Sequence, residues 1–261
     1  MILCLDLGNT RLKWGLFDAQ HTLVEAGACL HADIETAPFY LWNECSKVVL
    51  ASVAKETVTE QLLKMLARYE LTVHKVHVLP SMYGLQNTYN NIQQLGIDRW
   101  AAAVGAWQQI QEACVVVNAG TAVTIDAIAP LNSNPHQANY LGGYILPGLK
   151  MMQTRLSQGT AQIGDALALA KSTPFPKNTN DAVQLGAYAA ICGAIKLMAM
   201  QLSQHTGQTV SVIVTGGDAK AIQAMLLAPA MQIQAVAKQV LMVDNLVLHG
   251  ILWLDLESET A

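Results

Sequence analysis

The stretch Asp6-Leu7-Gly8-Asn9-Thr10-Arg11-Leu12-Lys13-Trp14-Gly15, preceded by Ile2-Leu3-Cys4-Leu5, decides how this chain folds. An apolar run of strand length ends in an acid, and a small, polar, glycine-bearing turn follows at once. Glycine lets a ligand approach the backbone, while Asn9 and Thr10 offer short hydrogen-bonding groups and amides. Such a turn can hold a phosphate, and Asp6 at the strand end can hold the water shell of a magnesium ion. Taken alone, the stretch reads equally well as an ordinary first hairpin.

A second copy breaks the tie. Val115-Val116-Val117-Asn118-Ala119-Gly120-Thr121-Ala122-Val123-Thr124-Ile125-Asp126 repeats the apolar strand, the small Gly-Thr turn and the β-branched continuation. Two such loops, one opening each half of the chain, predict a duplicated domain with nucleotide between the halves. Strand and helix patterns alternate throughout, so the class is α/β. This organisation resembles the actin, sugar-kinase and Hsp70 superfamily, and implies two similar halves of the actin-like, ribonuclease H-like ATPase fold with nucleotide in the cleft between them. Residues 1–113 form the predicted N-terminal half, with the first phosphate loop and a substrate loop. Residues 114–261 form the C-terminal half, with the second phosphate loop and a nucleotide-base turn.

The 261 residues, about half of them apolar, suffice for one large or two small domains. A net charge of −4 and 13% charged residues give no basic footprint, so no nucleic-acid partner is expected. Asp6 interrupts the N-terminal apolar stretch, which lacks a basic leader and does not read as a signal peptide. The longest apolar helix candidate, Ala187 to Leu202, contains Lys196 and falls short of the roughly 20 residues that span a bilayer. Cys4, Cys29, Cys45, Cys114 and Cys192 are odd in number and form no C-x-x-C, which suits free thiols in a reducing cytosol. A soluble, cytoplasmic protein without a membrane partner is expected, with an acidic C-terminal tail from Glu257.

Along the chain, Trp14–Phe17, Thr22–Cys29 and Val48–Val53 read as strands, and Glu56–Tyr69 as a helix. Val73–Leu79 reads as a strand whose His74 and His77 face opposite ways, so they are expected to be ordinary histidines rather than metal ligands. Ser81–Asn91, with Tyr83 and Tyr89, reads as a surface loop or lid. Gly96-Ile97-Asp98-Arg99 immediately precedes a helix bearing Trp100, Val104 and Trp107 on one face. Asp98 there is either a helix-start acid favoured by the macrodipole or half of an acid–base pair facing an anionic substrate.

Pro130–Gln137 reads as a polar turn. Tyr140–Gly148 reads as a glycine-rich strand whose glycines imply close approach of another backbone or a ligand. Lys171–Lys177 is a proline-containing connection. Asn178-Thr179-Asn180-Asp181 caps a helix over Ala182–Gln204, whose Gly186 and Gly193 permit close helix packing. Val210–Val214 is a strand ending in Thr215-Gly216-Gly217-Asp218, a turn suited to a flat base, and Val240–Leu254 reads as a closing helix.

Seven of these pieces occur in one order in a known family. The sequence resembles the type III pantothenate kinases, a family that includes the Bvg accessory factor-like proteins. The matching stretches are Asp6-x-Gly8-Asn9-Thr10 with Gly15, Gly96-x-Asp98-Arg99, Gly120-Thr121-Ala122-x-Thr124-x-Asp126, Gly142-Gly143-x-Ile145-x-Pro147-Gly148, Thr160-Ala161, Asn178-Thr179 and Thr215-Gly216-Gly217. Each is weak singly; together they cover residues 6 to 218.

The resemblance implies ATP-dependent phosphorylation of pantothenate at its primary hydroxyl, the first step towards coenzyme A, by a homodimer. It implies Asp98 as general base. Asp6, Leu7, Gly8, Asn9, Thr10, Arg11, Leu12, Lys13 and Thr121 would hold ATP, with magnesium held by Asp6 through water. Tyr89, Gly96, Ile97, Asp98, Arg99 and Thr179 would bind pantothenate. One position departs from the family: Asn118 stands where an acid often helps hold a monovalent cation. An amide oxygen can ligate potassium or ammonium but adds no charge, which weakens that implication.

The alternatives are a non-catalytic accessory protein of regulatory role on the same fold, which loss of Asp6 or Asp98 would favour, and another superfamily enzyme such as a sugar kinase or polyphosphatase. A P-loop kinase is excluded, because no G-x-x-x-x-G-K-[ST] is present.

Overall fold

The computed structural model describes residues 1–38, 42, 45–159 and 175–258. It opens with strands β1 (Ile2–Leu7), β2 (Arg11–Phe17), β3 (Leu23–Leu30) and β4 (Lys47–Ser52), then helix α1 (Glu56–Ala67). Strands β5 (Val73–Lys75), β6 (Ser81–Met82) and β7 (Leu85–Asn87) lead to helix α2 (Ile97–Ile110). Strands β8 (Cys114–Ala119), β9 (Ala122–Leu131) and β10 (Asn134–Pro147) precede helices α3 (Leu149–Gly159) and α4 (Thr179–Thr206). The chain closes with β11 (Val210–Thr215), α5 (Ala219–Leu226), β12 (Ala237–Met242) and α6 (Leu246–Ser258).

Two compact units result. One comprises Met1–Gln111, Leu131–Tyr140 and the segment from Asn245 on; the other comprises Glu112–Pro130 and Leu141–Asp244. A single cut at residue 113 lies two residues past the observed boundary at Gln111 and misses two further segments, each assigned to the first unit for a packing reason. Helix α6 lies on α2, β1 and β4, and Ala138–Tyr140 of β10 pair with Leu85–Asn87 of β7.

In the first unit the sheet order is β3-β2-β1-β4-β5. Strand β1 runs antiparallel to β2 and parallel to β4, with β3 antiparallel to β2 and β5 parallel to β4. Alternation sends Leu3, Leu5 and Leu7 into a core with Trp14, Val48, Leu50 and the α1 leucines 62 and 66. Cys4, on the opposite face of β1, is also fully buried. A central strand covered on both faces has no reason to alternate, which is why residues 2–5 read as one apolar run.

The second unit repeats the plan. From β10 inward its order is β10-β9-β8-β11-β12, with β8 antiparallel to β9 and parallel to β11, and β12 parallel to β11. Val115, Val117, Val123 and Ile125 form its core with Ile191, Ile195 and Leu202 of α4. The duplication expected from the two loops is therefore present in strand order, and in strand sense for the β8–β9, β8–β11 and β11–β12 pairs.

Several local expectations shift. Strand β5 ends at Lys75, so His77 lies beyond it, and residues 81–91 contain the β6–β7 hairpin with Met82 and Leu85 buried. Residues 130–137 are not one long turn: β9 reaches Leu131 and β10 begins at Asn134. Val240–Met242 belong to β12, because parallel pairing with β11 outweighs helical continuation, and the closing helix starts at Leu246. Helix α4 begins at Thr179 and runs to Thr206, 28 residues against the expected 182–204, and is long and apolar enough to cross a membrane by length and composition, though Ile191, Ile195, Ala199 and Leu202 are buried in its own unit. A Cβ placed on its Gly186 or Gly193 would meet nothing within 4 Å, so neither glycine packs against a helix of this chain among the described residues. The Thr160-Ala161 motif lies outside the described residues.

Candidate active site

In the first unit, β1 ends in a tight turn closed by the Gly8 amide donating to Arg11 O at 3.0 Å. Gly8 is half-buried and Asn9, Thr10 and Arg11 are exposed, so the turn presents itself to solvent. Leu7 and Leu12 point into the core, leaving only their backbone for a ligand. Asp6 lies one residue before the strand end, 6% exposed, directly across from Lys13, whose Nζ is 3.9 Å from Asp6 Oδ2. Burial pushes the Asp6 carboxyl up to about 6; Lys13 opposes the rise and the negative charge of Asp98 adds to it. Asp6 and Asp98 are thus brought into one electrostatic neighbourhood, although 92 residues separate them in the chain.

Asp98 sits in the first turn of α2 and folds back over Gly96. A Cβ at Gly96 would lie 2.5 Å from Asp98 Oδ1, so that carboxylate position requires glycine. Arg99, the next residue, is buried and donates from Nη1 to the Tyr89 hydroxyl at 2.9 Å. Its guanidinium carbon is 5.7 Å from the Tyr89 ring centroid, within cation–π range. The Tyr89 amide donates to Asn87 Oδ1, and its ring leans on Tyr140, which meets Trp100 edge-on at 5.8 Å. The lid-like segment is therefore anchored by an aromatic wall. Gly96 and Ile97 also line a cavity of about 790 Å³ together with Ser52, Val53, Lys75 and His77; Tyr89, Asp98 and Arg99 do not line it.

The second unit carries the other loop. The Gly120 amide donates to Ala122 O at 3.0 Å, and the Gly148 amide to Thr121 O at 2.9 Å, which leaves Thr121 exposed at the turn. A Cβ at Gly148 would fall 2.2 Å from Gly120 O, and one at Gly143 1.9 Å from Ile125 O. The close backbone approach read from the glycine-rich strand is what the structure contains. Gly216, with φ of +99° and packed on the Ala119 backbone, brings the 215–218 turn onto the same loop, where the Asp218 amide donates to Ala119 O. Asp218 occupies the N-cap position of α5 yet makes no side-chain cap bond.

Asn118 and Thr124 are direct cross-strand partners, so their side chains project from the same face. Asn118 Oδ1 and Thr124 Oγ1 are both buried and lack a hydrogen-bond partner among the described residues. Two orphaned oxygens side by side suit a hard cation better than they suit an apolar core. Asp126, two residues along β9 and therefore on the same face as Thr124, is also buried. Thr124 was legible in the motif but was given no task by sequence alone. Thr179 is exposed at the start of α4, on a turn fixed by Asn178 Oδ1 accepting from the Asp181 amide at 2.9 Å.

Two repeats of one strand plan, each opening on a small-residue turn, define an actin-like ATPase fold. A solved structure described as the activator of the 2-hydroxyisocaproyl-CoA dehydratase from Clostridium difficile with bound ADPNP superposes with a TM-score of 0.51 over 99% of this chain and 96% of its own, at 12% identity. Sequence comparison goes further. Residues 2–201 match the type III pantothenate kinase family. The type III pantothenate kinase of Methylobacillus flagellatus is 34% identical over 97% of both chains. That of Nitrosospira multiformis is 35% identical over 100% of this chain and 94% of its own. The chain belongs to the type III pantothenate kinase family.

Proposed function

We propose that this protein transfers the γ-phosphoryl group of ATP to the primary hydroxyl of pantothenate, giving 4′-phosphopantothenate at the start of coenzyme A synthesis. The observation that carries the reading, beyond membership of the family, is the placing of Asp98 over Gly96, in the electrostatic neighbourhood of Asp6 and adjoining the buried Arg99, which is bonded to Tyr89. A neutral alcohol needs a carboxylate within reach of its proton, and positioning with charge stabilisation does most of the remaining work.

In this reading the hydroxyl oxygen of pantothenate attacks the γ-phosphorus, its proton passes to the Asp98 carboxylate, and ADP leaves. Residues 6–13 and Thr121 hold the ATP phosphates. Tyr89, Gly96, Ile97, Arg99 and Thr179 bind pantothenate, with Arg99 offering its guanidinium to an anionic group. No group of three or more metal-ligating side chains exists among the described residues, so magnesium fits as an ion held by phosphates and by Asp6 through water. When bound, it neutralises phosphate charge. The Asn118 and Thr124 oxygens would hold potassium or ammonium, the amide contributing a dipole rather than a charge.

The accessory-protein alternative is not favoured, since Asp6 and Asp98 are both present. We further assign the enzyme to the cytoplasm, where ATP is available, and to a homodimer. Self-association is supported by the outer face of α4, where Ala182, Gly186, Ala190, Gly193, Leu197 and Met200 recur at helical spacing and are exposed. The decisive assay is ADP release by the purified protein with and without pantothenate, with the product identified by mass. Folded protein that makes no phosphopantothenate across magnesium and monovalent-salt conditions would remove the reading.

A further inference from the structure

His31 lies outside every motif named above. It opens a 3₁₀ turn (His31–Thr36) that follows β3, and the pairing of Leu30 with Arg11 delivers it to the back of the first phosphate loop. Its side chain donates from Nε2 to Gly8 O at 2.9 Å, and its own amide donates to Thr10 O at 3.2 Å. A carbonyl only accepts, so Nε2 carries the proton in whichever ring state is present.

We propose that His31 is a positioning residue for nucleotide binding, gripping two carbonyls of the first loop so that the partner amides face the phosphates. The reason is peptide planarity. In a trans peptide the C=O and the following N–H point in opposite directions. Holding Gly8 O and Thr10 O towards His31 therefore turns the amides of Asn9 and Arg11 the other way. Phosphate oxygens are attracted to amides and repelled by carbonyls, so a peptide flip at either place would replace a donor by an acceptor. Glycine at position 8 makes that flip inexpensive, which is why an external clamp is needed there. The Gly8 amide, on the preceding peptide, is committed to Arg11 O and does not itself hold the Gly8 carbonyl.

The inference rests on the proposed function, and steady-state kinetics of the full chain test both. His31→Ala is expected to raise the KM for ATP about tenfold, the effect of losing roughly one hydrogen bond, with the KM for pantothenate unchanged. His31→Gln, which keeps a side-chain N–H, should recover much of the loss. A merely structural role would lower thermal stability and move both KM values together. An unchanged ATP KM in folded His31→Ala, or equal rises in both constants, overturns the proposal. If the alanine variant does not fold, His31→Phe keeps the ring without the donor and must show the same split. In the wild type, a non-hydrolysable ATP analogue should slow exchange of the His31 ring N–H; exchange unaffected by the analogue counts against the clamp. Wild type that turns over normally while these tests fail loses only the role of His31. Wild type without pantothenate-dependent turnover loses the functional reading and the inference with it.

Discussion

The ammonium of Lys13 stands 3.9 Å from the Asp6 carboxylate because the two residues are direct partners across the β1–β2 pair. Lys13 is about one-third exposed and Asp6 is buried, so the carboxylate bears most of the desolvation. Burial raises the acid to about 6, against the pull of Lys13 and with the push of Asp98. Near neutral pH an ionised Asp6 is therefore held at a cost, which the hydrated magnesium proposed to sit there would relieve.

A stability measurement follows from that value. An acid of about 6 in the fold and 3.8 in the unfolded chain favours folding below 3.8 and loses that contribution as pH rises through 6. Asp6→Asn should therefore stabilise the metal-free protein near neutral pH by up to about 3 kcal/mol, following roughly 1.4 kcal/mol per unit. The difference should vanish by about pH 4. Urea unfolding of both forms at the two pH values checks it, and equal stability near neutral pH would show Asp6 to be unstrained.

Asp98→Asn should lower kcat by roughly 10²–10⁴, the range for loss of a general base. The KM for ATP should change little, because the first-loop turn is untouched. Near-normal turnover would return Asp98 to a helix-start acid whose place over Gly96 is only structural.

At the second loop, Asn118→Asp should lower the potassium concentration needed for half activation. The carboxylate adds charge where Asn118 Oδ1 and Thr124 Oγ1 now offer dipoles. A potassium titration at constant ionic strength compares the two forms. Wild type responding at lower potassium than the variant would place the dominant ligands elsewhere.

Asp255 fixes α6 to the first sheet. Its Oδ1 takes a bond from Lys47 Nζ at 2.8 Å and lies 2.6 Å from His74 Nδ1, with Asp255 itself fully buried. Asp255→Leu removes the carboxylate that Lys47 and His74 share, and since both of those side chains are partly exposed the cost should be about 1–3 kcal/mol. Denaturant unfolding reads the loss, and turnover per folded molecule should stay near wild type.

The sequence by itself determined the α/β class, the duplication and the two turns. Those features rest on period-2 apolar runs, on Gly-Thr and Gly-Asn punctuation, and on a cap such as Asn178, all of which act within a few residues. It also placed Asp98 at a helix start, but the meaning of that place was open, since a macrodipole acid and a base look alike in one dimension. Only the tertiary structure brought Asp98 within electrostatic reach of Asp6, set Thr124 beside Asn118, and carried His31 to Gly8. It also turned His74 from an ordinary strand histidine into a partner of Asp255, and returned α6 to the first unit. These relations depend on strand pairing and helix docking between residues far apart in the chain. Local propensity carries no record of such pairings, because the same run of residues can pair with any strand whose register buries the right face.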